Sequence, residues 1–242
     1  CRVDRNCEHA FHIVGGARGS VIRNNRMEDF NAHIKINGIG GQWPDDGLVQ
    51  FNTLTNSRPR RTSAPVTPFD LVAANGWRVT DNVISNFVKA GGDQVSYGIF
   101  MKGGGANGRI ERNLIICTPA EISQPGNRVG LSWGGGGSGA NFCRDKTCEN
   151  EHTDGLAANN VIAHCNDAGV DVNYSRQITI AHNTLINTAG VLVRGRSERV
   201  NLFGNLIEGR IRLYDAVEVT QANNKLAELS KILVDPDRLQ LE

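Results

Sequence analysis

The chain has 242 residues, and its 26 Lys+Arg against 25 Asp+Glu leave a net charge of +1. That balance argues against the basic face a nucleic-acid partner requires and against a polybasic membrane anchor. No run approaches the ~18 apolar residues of a membrane span, and the chain opens at Cys1 with no signal-like apolar region, so it reads as a soluble fragment or a processed form.

In chain order, an apolar-alternating phrase that runs into Asn recurs at 21–25, 48–52, 78–82, 109–113, 156–160, 178–183, 200–205 and, more faintly, 217–223. With Asn25, Asn52, Asn82, Asn113, Asn160, Asn183, Asn205 and Asn223 as markers, the steps are 27, 30, 31, 47, 23, 22 and 18 residues. Each step is about one coil of a solenoid plus a loop of variable length, the minimum being the ~20 residues that such a coil requires. A second phrase, usually led by Gly, stands between the markers at 98–102, 130–133, 169–172 and 190–194, so each coil carries at least two strands. Period-2 alternation places Ile99 with Met101, and Val170 with Val172, inside the coil. A short amide suits the marker position: it can hold a left-handed bend and bond the backbone of its own or the next coil, and stacked copies would form a ladder. Gly, Asn and β-branched residues fill the repeat, which argues against helices except near Leu226 to Leu233, where a capping helix is expected to hide the open end.

The six cysteines, Cys1, Cys7, Cys117, Cys143, Cys148 and Cys165, permit disulfides in an oxidising compartment. Cys143 and Cys148 enclose a short polar loop and are a candidate bridge; Cys1 with Cys7 is a looser one. The alternative at the first pair is zinc held with His152, Glu149 or Glu151, but structural zinc usually wants tighter Cys spacing and a fourth ligand.

The repeated Ile-x-x-Asn-x-Ile phrases resemble the parallel β-helix repeats of the pectin-lyase-like superfamily, over residues 10 to about 224, and the ending 234–241 is similar to tails that follow such coils. The resemblance implies an all-β, single-stranded right-handed parallel β-helix of about eight rungs, one domain over residues 1–242 with a cap or tail at 225–242. It implies no single activity, because that superfamily holds lyases, hydrolases, esterases, epimerases, tailspikes and adhesins.

Function is therefore sought in the outward columns. An interior file of Phe11, Ile34, Phe69, Ile99, Leu131 and Val170 makes His12, Lys35, Asp70, Phe100, Ser132 and Asp171 the next outward column. A second one reads Val14, Asn37, Val72, Lys102, Gly134, Asn173 and Arg194. With rungs ~4.8 Å apart, His12, Lys35 and Asp70 would be neighbours, and Lys102 would lie one rung beyond Asp70. A polar patch of this kind suits an acidic, uronate-containing polysaccharide cleaved by β-elimination, in which a base takes the proton beside a carboxylate while a cation stabilises the developing enolate. Lys102 is the preferred base, because Gly103-Gly104-Gly105 would let a bulky sugar approach. Lys35 is the carboxylate partner, His12 is a further candidate, and calcium is an alternative neutraliser. The Lys102 strand resembles the strand carrying the base lysine in alginate and chondroitin lyases of β-helix type. Those families follow it with Leu-Arg-His, whereas here the next strand reads Gly130-Leu131-Ser132-Trp133-Gly134, so the missing charge would fall to Arg128 or Arg194.

Each choice has a structural competitor. Exposed lysines are usually only solvated, Asp70 most simply salt-bridges Lys35 or Lys102, and His12 and His33 are more often structural than catalytic. Trp133 is either a sugar-stacking platform or a rung-packing aromatic. The Gly134–Gly139 run lacks the Gly-Lys-Ser/Thr of a phosphate loop. Loops holding Trp43 to Asp46, Arg58 to Arg61, Gly91 to Asp93 and Asn141 to Asp154 are expected to wall a groove across the Lys102 strand. Asp70, Asp171, Trp133, Arg128 and Arg194 are the expected substrate contacts of a secreted or periplasmic polysaccharide lyase. The alternatives are a glycoside hydrolase, which would need carboxylates ~5 or ~6.5–9.5 Å apart, and a non-catalytic glycan-binding adhesin.

Overall fold

The computed structural model describes residues 7–118, 125–135, 138–228, 233–235 and 240–241. Three parallel sheets run along the coil. The first contains eight strands, Cys7–Val14, Phe30–Asn37, Phe69–Val72, Val95–Lys102, Asn127–Trp133, Ala168–Asn173, Gly190–Arg194 and Arg210–Leu213, each paired with the next. Each marker phrase divides into two short strands, one in the second sheet and one in the third, as in Arg109–Glu111 followed by Leu114–Ile116. The chain is thus a parallel β-helix with three strands per rung, one more than the minimum expected.

Interior side chains stack in register. Phe11 pairs with Ile34, Ile34 with Phe69, Phe69 with Ile99, Ile99 with Leu131, and Leu131 with Val170. From Ile34 to Val170 every member of that file is fully buried. Val49, Val79, Ile110 and Ile180 in the second sheet, and Leu54, Ile84, Ile115 and Ile162 in the third, complete the same core. Burying one such aliphatic side chain stabilises by about 1.5–3 kcal/mol, so stacking is what makes short strands viable.

The asparagine ladder forms, with two corrections. The Nδ2 and backbone N of Asn25 both donate to Oδ1 of Asn52, and the same double contact repeats through Asn82, Asn113, Asn160, Asn183 and Asn205. Its last member is Asn224, not Asn223. The left-handed residue is the one before each ladder asparagine: Asn24, Phe51, Asp81, Arg112, Asn159, His182 and Asn223 have φ from 53° to 58°. That residue turns the chain outward, which points the next amide inward to lie along the coil axis. Left-handed backbone at non-glycine residues costs roughly 1–2 kcal/mol each, and the ladder's buried hydrogen bonds offset it.

Two disulfides are present among the described residues. Cys143–Cys148 is one of them, and its sulfurs are therefore not available as zinc thiolates although Glu151 lies close by. Cys117–Cys165, with Cα atoms 5.1 Å apart, staples consecutive rungs where the third sheet ends. Cys1 lies outside the described residues. Of the expected capping helix, Leu226 and Leu233 sit in the strands Lys225–Leu226 and Leu233–Asp235, and residues 229–232 lie outside the described residues.

Candidate functional site

The outer face of the first sheet brings the expected patch together. Register places Lys35 beside Asp70 and Lys102 beside Val72, one rung on. The Asp70 carboxylate is 2 % exposed and is shared by two ammonium groups: Lys35 Nζ donates to Oδ2 at 2.5 Å, and Lys102 Nζ stands 3.7 Å from Oδ1. Phe100, the register partner of Asp70 on the Lys102 strand, is capped by Lys102 Nζ at 4.0 Å from its ring centroid and stacks on Tyr97 at 4.2 Å. Lys102 is thus held by a cation–π contact as well as by the charge of Asp70. Lys35 bonds one oxygen of Asp70, while Oδ1 makes no hydrogen bond and has only the Lys102 ammonium 3.7 Å away; Glu8 adds a second carboxylate at the edge of the same patch.

A small pocket of about 190 Å³ opens on Lys35 and Asp70, bordered by His9, Asn31, Ala64 and Pro65. It has room for a carboxylate and the edge of its ring rather than for an oligosaccharide. His12 pairs in register with Lys35, yet its ring is exposed, bonded to Oδ1 of Asn37 at 2.7 Å and packed against His9. It borders the patch without touching Asp70.

Several expectations require correction. Trp133 is fully buried inside the coil, where Gly108 and Gly155 leave room for its indole; a Cβ at Gly108 would stand 2.8 Å from the ring and one at Gly155 2.9 Å. It packs rungs and presents no face to a sugar. Arg128 is 1 % exposed and donates to the carbonyls of Pro125 and Gly126, which ties it to its own loop. Gly103 and Gly104 do not open the site either. The segment 144–151 roofs them: Arg144 N donates to Gly103 O, Gly104 N to Glu151 O, and Gly103 N to the Glu151 carboxylate. Both glycines have φ 77°, so they are needed for the turn.

Asp171 and Arg194 meet, but away from Lys35. Arg194 grips the buried Asp171 carboxylate with Nε and Nη2 at 3.1 and 3.0 Å, and Ser132 Oγ adds a third contact at 3.3 Å. Burial pushes the Asp171 carboxyl up from its ordinary value, against the pull of the guanidinium. Tyr97, nearby, has its phenol pushed up to about 12, chiefly by burial. Asp70 and Asp171 are separated by Phe100 and Ser132 in one column, hence by three rungs or ~14 Å at the usual strand spacing. That exceeds both carboxylate separations used by glycosidases, ~5 and ~6.5–9.5 Å.

Of the loops expected to wall a groove, those holding Asp45 and Arg144 meet at one end of the first sheet and those holding Arg60, Lys89 and Asp93 lie at the other. At the exit of the first sheet Arg144 pairs with Asp45 through both guanidinium nitrogens at 2.7 and 3.0 Å and lies over the Trp43 ring. Burial opposes the Asp45 charge, yet Arg144 and the Asn75 N–H hold its carboxyl below the usual range. At the entry, Arg60 bonds Asn31 and Val88, and Lys89 pairs with Asp93. Tyr97, Phe100 and the Arg144–Asp45 clasp are not among the residues singled out from sequence as substrate contacts. Tyr97 faces outward because the strand changes phase at Gly98, where the ring of Phe87 crowds the Cα from inside.

Fold and site together define a parallel β-helix with a walled, lysine-rich floor on one sheet. No protein-family model and no curated protein matches the sequence. Among solved structures, the chain is similar to the Agl-KA catalytic domain, with TM-score 0.56 and 13 % identity, covering 86 % of this chain and 39 % of that one. The complex of XylC with xylose aligns with TM-score 0.36 and 12 % identity, over 82 % of this chain and 32 % of that one. The chain spans well under half the length of either protein, and the likeness is one of fold. No helix among the described residues is long and apolar enough to cross a membrane.

Proposed function

We propose that this protein binds an acidic, uronate-containing glycan on the floor of the first sheet and cleaves it by β-elimination. The observation that carries the reading is the sharing of one buried carboxylate, Asp70, by Lys35 and Lys102 beside a pocket sized for a carboxylate. Lys35, at the pocket, takes the substrate carboxylate and so stabilises the enolate that forms when the adjacent carbon loses its proton. Lys102, in its uncharged form, accepts that proton; the electron pair forms the double bond and expels the glycosidic oxygen, which takes its proton from water. Asp70 positions both amines. The Cys117–Cys165 and Cys143–Cys148 bridges support a secreted or periplasmic setting.

A second reading, glycan binding without cleavage, is favoured by one observation: the Lys102 amine is already occupied by Asp70 and the Phe100 ring and is not directed at an open pocket. One experiment separates the two. The protein is incubated with polygalacturonate, alginate and chondroitin, with and without a chelator, while the absorbance of unsaturated ends is followed in the ultraviolet. Absorbance that disappears in Lys102→Met supports elimination. Binding with no absorbance on any polymer refutes it in favour of the binding module, and new reducing ends without absorbance indicate hydrolysis.

A further inference from the structure

Where the chain leaves the first sheet it passes through a left-handed residue in rung after rung. Those positions are Gly15 (φ 60°), Ala73 (67°), Gly103 (77°), Tyr174 (52°), Gly195 (63°) and Asp215 (54°). Glycine suits this conformation, and alanine and aspartate are small. Tyr174 is larger than the others on this edge, and like Phe51, Arg112 and His182 at the ladder turns it is held left-handed by its surroundings. The backbone around Tyr174 does hold it, its N–H donating to Arg194 O and its carbonyl accepting from Glu151 N.

The ring itself is presented outward. Tyr174 is 45 % exposed, and it leans on Gly195, where a Cβ would stand 2.8 Å from a ring carbon. Beyond it lies a concavity of about 460 Å³, bordered by Arg176, Arg196, Glu149 and Glu198 and closed on one side by Cys148. Arg176 is already engaged by Glu198. Arg196 is exposed and makes no ion pair among the described residues. A flat, amphipathic ring with a fixed backbone, next to an uncommitted guanidinium, matches a pyranose that offers C–H groups from one face and a carboxylate from its edge.

We propose that Tyr174 is a stacking platform for a pyranose unit of an acidic glycan, with Arg196 binding that unit's carboxylate, at the corner beyond the Asp171–Arg194 pair. This rests on the reading that the ligand is an acidic glycan, but not on cleavage and not on the lysines.

The test is calorimetric titration of the full chain with hexamers of galacturonate, mannuronate and guluronate, and with cellohexaose as the neutral arm. For the uronate that binds most tightly, Tyr174→Gly and Arg196→Ala are each expected to lose at least fivefold in affinity, and Tyr174→Phe to retain it. Thermal melting of Tyr174→Gly is expected to be unchanged or higher, because glycine relieves the left-handed strain, a result that a merely structural tyrosine would not give alongside lost binding. Unchanged affinity in Tyr174→Gly, equal binding of cellohexaose, or no binding of any uronate overturns the proposal. A Lys35→Met/Lys102→Met variant whose remaining uronate affinity still depends on Tyr174 shows that the platform stands even if the groove reading fails.

Discussion

Replacing Asn113 by alanine removes the middle of the ladder, and its cost can be worked from the bonds. Asn113 Nδ2 donates to Val79 O at 2.8 Å, Glu111 O at 3.1 Å and Asn160 Oδ1 at 3.0 Å, while its Oδ1 accepts from both the N and the Nδ2 of Asn82 at 3.0 Å. Asn113→Ala therefore orphans the buried N–H of Asn82, at about 1–3 kcal/mol, and removes further bonds worth about 1 kcal/mol each. A total of roughly 3–5 kcal/mol is a large part of the ~5–15 kcal/mol that holds a domain folded. In a chain of this size it should lower Tm by roughly 6–20 °C, at ~2–4 °C per kcal/mol. At the end of the ladder Asn224 Nδ2 donates to Leu202 O and its Oδ1 accepts from the N and Nδ2 of Asn205, but the position is half-buried, so water replaces part of what is lost and Asn224→Ala should cost no more than about 2 kcal/mol. Guanidinium and thermal unfolding followed by circular dichroism check both. The double variant Asn82→Ala/Asn113→Ala should cost less than its two singles together, since the second deletion removes a group the first had stranded. An Asn113→Ala cost below ~1 kcal/mol, or equal to that of Asn224→Ala, would refute the ladder as a stabilising element.

Removing the staple with Cys117→Ala/Cys165→Ala frees a loop defined by a sequence separation of 48 and should cost about 2–4 kcal/mol, read as a lower unfolding midpoint that reductant does not lower further at this site. Trp133→Ala should destabilise by about 3–5 kcal/mol, as a core aromatic does, while leaving glycan affinity of the folded fraction unchanged; lost affinity without lost stability would contradict its interior position. Burial lowers the imidazole of His33 to about 4 and that of His152 to about 3. Above the ordinary value near ~6.5 both states are neutral; as pH falls below it only the unfolded chain takes up protons, so stability is lost toward the folded-state values. From pH 7 to pH 5 the two together should remove roughly 4 kcal/mol, and a denaturation midpoint flat over that window would show that they are not held neutral. Asp70→Asn leaves Lys35 and Lys102 as facing like charges and should destabilise by about 1–3 kcal/mol, discounted from a fully buried pair because both amines keep some solvent; a midpoint unchanged at low salt would show that the triad is not coupled.

Much of this architecture was legible from residue order alone. Asparagine recurring at rung length, and alternation on either side of it, determined a coil, its interior file and the outward neighbours Lys35 and Asp70, because strands stacked in parallel keep register and period 2 leaves no choice of face. What the sequence did not determine is everything set by contacts between distant loops and by a break in that period. Trp133 reads equally as platform or filler until Gly108 and Gly155, from other strands, are seen to make space for it inside. Gly103 and Gly104 read as an opening until the segment 144–151 is found packed over them. The Cys117–Cys165 pairing, the shift of the left-handed residue to the position before each asparagine, and the outward turn of Tyr97 at Gly98 likewise depend on where one rung lies against the next. A repeat fixes the direction in which each side chain leaves the backbone; only the tertiary structure decides what stands there to cover it.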